Sequence, residues 1–272
     1  MTDRRPTDAS GVFAVVAVAL AAIMLAVTAA VAAGWIGAPT NQANQQLGDV
    51  PGTSPNSDGA TADRDADPDV VVQSAAEAMR AVTSVEFELE RTGAPVFIDQ
   101  FERIALDALR GQFTVPNQAQ AELTVTVNGN LATKLGAIAI DAEVWISNPV
   151  TGDFETLPDG YDIDPSKFFD PENGWRPLLA ELRNVELVGI EDRGGDRYHV
   201  RGIAPAAQVR EITVGLVRNQ DVTVDLWIHP ATHLVTAAEF TTVIDGAESN
   251  WVLALDNYGD VFTINPPENV SS

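Results

Sequence analysis

Alternation of apolar and polar positions organises the chain from residue 84 onward. In SVEFELE, Val85, Phe87 and Leu89 alternate with Glu86, Glu88 and Glu90, as a strand with one buried and one wet face requires. The pattern returns with Leu123, Val125 and Val127 against Thr124, Thr126 and Asn128, and with Val222, Val224, Leu226 and Ile228 against Thr223, Asp225, Trp227 and His229. Further strands are predicted over 110–115, 133–140, 143–147, 153–157, 187–191, 197–203, 234–244 and 250–256. Asn128-Gly129, Asn148-Pro149, Thr151-Gly152, Gly194-Gly195 and Asp245-Gly246 supply turns between them. Roughly ten strands joined mostly by short turns form a large antiparallel meander, and a sheet of that size curls, making one face concave and apolar.

Two other periods interrupt the alternation. Over 68–83, Val71, Ala75, Ala78, Met79 and Val82 recur at helical spacing behind Asp67 as N-cap, Pro68 at the first position and Asp69 in the first turn. Between 158 and 184 the chain reads as a loop with Asp-Pro turns and then a short helix over 173–182, with Trp175, Leu178, Leu179 and Leu182 on one face. A weaker helical segment at 205–215 carries Ala206, Val209 and Val214. These helices are available to cover the apolar face.

Nearer the N-terminus the pattern is uniform. Residues 11–37 carry no charge and would measure roughly 40 Å as a helix at ~1.5 Å per residue, enough to cross a hydrocarbon core of ~30 Å. Arg4 and Arg5 precede the run and few basic residues follow it, which places residues 1–10 in the cytoplasm and the rest outside. A cleaved signal peptide is the competing reading, and it exports the domain equally. Residues 38–66, rich in Pro, Gly, Asn, Gln, Ser and Asp, read as a disordered tether, and 67–272 as the globular domain. The expected fold class is therefore α+β: a large curved antiparallel sheet over a few helices, with an N-terminal transmembrane helix.

Composition narrows the function. There are 39 Asp and Glu against 16 Lys and Arg, a formal charge of -23, so nucleic acid, which is bound by neutralising phosphates, is excluded as a partner. The absence of cysteine rules out thiol catalysis and thiolate zinc sites. His229 and His233 stand four apart, but Pro230 makes HPATH a hairpin turn rather than a helical zinc motif, and His199 in RYHVRG is expected to be half-exposed. Asp63, Asp65 and Asp67 lack the glycine and glutamate of a calcium loop. Asp162, Asp164, Asp170, Asp256 and Asp260 lie in turn contexts, and no nucleophile elbow, phosphate loop or dinucleotide fingerprint occurs. The chain is read as no enzyme, with no cofactor and no metal.

The order of elements, together with DAEVWISNPVTGDFETLP, DPENGWRPLLAEL, VDLWIHPATHLVTAAEF and LALDNYGDVFTINPP, resembles the LppX/LprAFG family of cell-envelope lipoproteins over about 70–267. The resemblance implies a half-barrel sheet wrapped over helices, with an apolar cavity that receives the acyl chains of an envelope lipid or glycolipid for presentation or transfer between membranes. It implies a cavity lined by Val85, Phe87, Leu89, Leu123, Val125, Val127, Phe168, Trp175, Leu178, Leu179, Leu182, Val224 and Leu226, with Phe168, Trp175 and the leucine pair at the mouth. The family is usually held to the membrane through a lipidated cysteine; this chain has none, and residues 11–37 would serve instead. The other function considered is a non-catalytic module binding an envelope protein partner.

Overall fold

The computed structural model describes residues 62–97, 102–116, 118–141, 143–148, 152–156, 175–212, 217 and 219–271. The 11–37 span, most of the 38–66 tether and Phe168 lie outside the described residues. No described helix is long and apolar enough to cross a membrane.

Thirteen strands among the described residues form one sheet. β1 (Ser84–Gly93) lies in its middle, between β3 (Ile104–Thr114) and β12 (Ala247–Asp256). From β3 a meander runs outward through β4 (Gln118–Val127), β5 (Leu131–Ile140), β6 (Glu143–Ser147) and β7 (Phe154–Thr156), while the two-residue β2 (Val96–Phe97) pairs beside β3. The chain then crosses to the opposite edge, β8 (Arg183–Asp192), and a second meander returns through β9 (Asp196–Ala204), β10 (Val222–Ile228) and β11 (Val235–Ile244) to β12. All pairings are antiparallel except that of β13 (Val270–Ser271) with β7.

The predicted alternation holds in the register. Leu89 faces Leu109 and Leu253, and Leu109 faces Leu123, so one face of four strands is a continuous leucine row. Phe113 is fully buried and Phe87 nearly so, and they belong to rows that include Ala119 and Ala139, and Gly111, Ala121 and Ala137, respectively. Large rings lie over small neighbours in this half of the face, the pairing of sizes that dense packing needs.

Three helices accompany the sheet: α1 (Pro68–Arg80), α2 (Trp175–Ala180) and α3 (Ala206–Ile212). α1 begins as its sequence predicts, with Asp67 accepting from the Asp69 amide, and buries Val71, Val72, Ala75, Ala76 and Met79. It ends at Arg80 rather than near 83, because the Thr83 carbonyl already accepts from the Val115 amide and belongs to the sheet. α2 ends at Ala180, two residues before the predicted 182.

β3 starts six residues before its expected boundary of 110. A bulge between Leu106 and Ala108 breaks the alternation there, and Asp107 at the bulge accepts from Arg91 (2.7 Å) and Thr126 (2.6 Å). β8 likewise begins at Arg183 rather than 187, with register shifts at 183–186 and 187–189. Residues 62–66, placed in the tether by composition, turn against the domain: Ala62 is buried and the Asp63 amide donates to the Tyr198 hydroxyl at 3.1 Å.

Candidate functional site: an apolar crevice under the sheet

On the second meander the inward positions are Ala204 of β9, Val222, Val224 and Leu226 of β10, and Ala238 and Phe240 of β11. Register sets them side by side, Val222 facing Ala204, Leu226 facing Ala238 and Val224 facing Phe240. Leu178 of α2 and Val209 of α3 lie over them, and the eight side chains enclose a crevice of about 20 Å³. Among the described residues, no charged or hydrogen-bonding side chain lines it. Such a space accepts hydrocarbon and refuses ions, since each buried CH₂ is worth about 0.8 kcal/mol and a buried unpaired charge is costly.

Between these residues about 20 Å³ holds a sphere the size of one water, not an acyl chain. A chain can lodge there only if α2 and α3 separate from β9–β11. α2 is six residues long and α3 seven, too short to be stable alone, so their position depends on packing.

The predicted lining residues divide. Leu178, Val224 and Leu226 border the crevice. Val85, Phe87, Leu89, Leu123 and Val125 are buried in the core of the first meander and β1, Leu179 is buried beside them in the same core cluster, and Val127 and Leu182 pack half-buried against it. Trp175 opens α2, its side chain lying outside the described residues, as does Phe168. The crevice residues not singled out as lining are Ala204, Val209, Val222, Ala238 and Phe240. Val222 continues the Val224–Leu226 alternation and was detectable; Ala204 and Ala238 matter by being small, which no periodicity displays.

The opposite face of β8–β10 corrects another expectation. His199 is buried (7 % exposed) rather than half-exposed. Its two ring nitrogens lie 2.7 Å from Glu191 Oε1 and from Asp225 Oδ1, and its ring stacks on Trp227 at 4.6 Å. Trp227 Nε1 donates to Glu191 Oε2, and the Arg193 guanidinium lies 3.5 Å from the Trp227 ring centroid. This network ties strands of the weakly registered β8 edge to β10. Burial pushes the Glu191 carboxyl up, but the hydrogen bonds from Trp227 and His199 and the nearby charges of His199 and Arg193 outweigh it, so its pKa lies below 4.5. A carboxylate with a depressed folded-state pKa contributes stability that is fully present above its unfolded value and is lost as pH falls through the folded one. Urea midpoints of wild type should therefore fall below about pH 4.5 more steeply than those of Glu191→Gln, by a modest margin because Glu191 is partly exposed. His199→Ala is expected to cost about 1–3 kcal/mol at neutral pH, measured by the same melts, since it removes the buried ring that bridges Glu191 and Asp225 and stacks on Trp227.

The other two histidines form a hairpin turn: His229 Nδ1 accepts from the Ala231 and Thr232 amides, and the His233 amide donates to the His229 carbonyl.

The order of elements, the sheet curled over short helices and the hydrocarbon-lined crevice agree with one family. Its model, the LppX_LprAFG lipoprotein, matches residues 67–264. The chain belongs to this family. Among solved structures it is similar to LprF from Mycobacterium bovis, at 17 % identity with a TM-score of 0.59, covering 74 % of this chain and 96 % of that one. It is also similar to the Mycobacterium tuberculosis lipoprotein LppX, at 16 % identity with a TM-score of 0.52, covering 74 % and 100 %. At these identities the likeness is one of fold. No curated protein matches the chain. Membership places the protein among envelope-associated lipoproteins related to lipid-binding carriers, while the total absence of cysteine removes the thiol through which a lipoprotein is acylated.

Proposed function

We propose that this protein binds acyl chains of an envelope lipid or glycolipid under its sheet, without catalysis, and presents or hands them on between membranes. Residues 11–37 anchor it as a single-pass protein with the domain outside the cell, and the tether after them sets its reach. The observation that carries the reading is the crevice beneath β9–β11, whose eight lining side chains are all hydrocarbon or aromatic and are roofed by two short helices. A tail cannot cross water unshielded, because every exposed CH₂ costs about 0.8 kcal/mol. A chain entering between α2 and β10 would exchange contact with Leu178 and Val209 for contact with its own methylenes. A permanent anchor favours presentation within tether reach over free shuttling.

Residues 62–272 contain the 67–264 matched by the family model, so that fragment is the reagent for the test. Expressed in a host rich in acylated lipids and purified without detergent, it should show, in native mass spectrometry, a fraction heavier than the polypeptide by the mass of one lipid. Organic extraction should return that lipid. A folded fragment with only the polypeptide mass, from that host and after incubation with extracted envelope lipids, would overturn the reading.

A further inference from the structure

The outward face of the first meander carries a second, chemically different depression. Two cross-strand rows border it. One comprises Glu86, Gln112, Gln120 and Ile138, and the other Arg110, Glu122, Gly136 and Phe154, each set aligned by the register of β1, β3, β4 and β5, with Phe154 reaching over from β7. Between them the backbone of Gly111, Ala121 and Ala137 forms the floor of a trough of about 340 Å³. That volume lies within the range of small-molecule sites, roughly 300–1,000 Å³. Gly136 has no side chain to fill it, and the Phe154 ring lies over this glycine: a Cβ there would come within 3.0 Å of Cζ.

Charge and hydrogen bonding select the ligand. Arg110 and Lys134 are already engaged by Glu122 Oε1, at 2.8 and 2.7 Å, so the trough offers no free cation to an anion, and the whole chain carries a charge of -23. The Gln112 and Gln120 carboxamides, directly opposite one another, have no hydrogen-bond partner among the described residues. Each offers an NH₂ donor and a carbonyl acceptor side by side, the complement of two vicinal hydroxyls, which also donate and accept. Glu86 and Glu122 add acceptors, and the face of Phe154 adds a flat apolar platform at one end. A ring that has hydroxyls around its edge, an apolar C–H face and no charge satisfies all three features.

We propose that this trough binds a neutral saccharide, of one or two rings, through Gln112, Gln120 and Phe154. The site lies on the face away from the apolar crevice and stands independently of the lipid reading.

The test uses the full chain in a zwitterionic, sugar-free detergent, applied to an array of neutral and anionic oligosaccharides and then titrated by calorimetry with the best-retained neutral glycan. Wild type should retain a subset of the neutral glycans. Q112A/Q120A and, separately, Phe154→Leu should weaken binding at least tenfold, with thermal unfolding within a few degrees of wild type. Lipid content by native mass spectrometry should be unchanged in both variants, which separates this site from the crevice. Retention of no neutral glycan, retention of anionic glycans alone, or equal binding by the folded variants would overturn the proposal.

Discussion

Gly111→Val should leave the domain unfolded or destabilised by about 3 kcal/mol or more, toward the upper end of what overpacking costs. A Cβ at Gly111 would lie 2.2 Å from the Gln120 carbonyl oxygen and 2.5 Å from Cζ of Phe87. The first obstacle is backbone of the adjoining strand, and the second is the edge of a ring that is itself almost wholly buried. Neither can retreat without moving the row through Ala121 and Ala137. Gly111→Ala should show a smaller form of the same effect, and Gly129→Ala, at a hairpin tip with nothing within 4 Å of the added atom, should cost only the strain of its φ of 73°, about 1 kcal/mol. Urea titrations of the three variants give the order directly. Equal midpoints for Gly111→Ala and Gly129→Ala would contradict the packing described for β1, β3 and β4.

Lipid loading should respond in opposite directions to two changes in the crevice. Ala238→Phe places a ring into about 20 Å³ and should reduce copurified lipid at least tenfold, at a stability cost of about 1–3 kcal/mol. Phe240→Ala removes the largest lining side chain; it should destabilise the empty domain by about 3–5 kcal/mol yet raise the fraction carrying lipid, because the tail refills the space. Native mass spectrometry of both, with melting curves before and after organic extraction, reads the two effects. If occupancy falls in both, or in neither, hydrocarbon does not lodge between α2 and β10–β11.

Much of this architecture was visible in the amino-acid order. The SVEFELE and VTVDLWI alternations have the register partners that their apolar sides demand, and Asp67-Pro68-Asp69 starts α1 where capping chemistry places it. What stayed hidden follows from non-local geometry. The bulge at Asp107 breaks the period inside a single strand, so β3 appeared to start at 110; the partner of Asp107, the Arg91 guanidinium, is supplied by a neighbouring strand. His199 looked half-exposed because its burial depends on Glu191, Asp225 and Trp227, which arrive from two other strands. The crevice was legible as an apolar face, but its volume depends on Ala204 and Ala238 meeting Leu178, and a pattern of apolar positions carries no information about leftover space.

The central position of β1 has a kinetic consequence. Glu86 pairs with Asp256 and Thr92 with Asn250, across most of the domain's length, so the seam between the two meanders closes only when the last long strand is available. Loop closure over such a span is slow, and topologies dominated by distant pairings fold slowly. During synthesis from the N-terminus, β1 and the first meander must wait with one edge unpaired until residue 256 emerges. Nascent molecules are therefore vulnerable to edge-to-edge association from the emergence of β1 and β3 until synthesis is almost finished, and truncation before 247 should yield aggregates rather than a smaller folded protein.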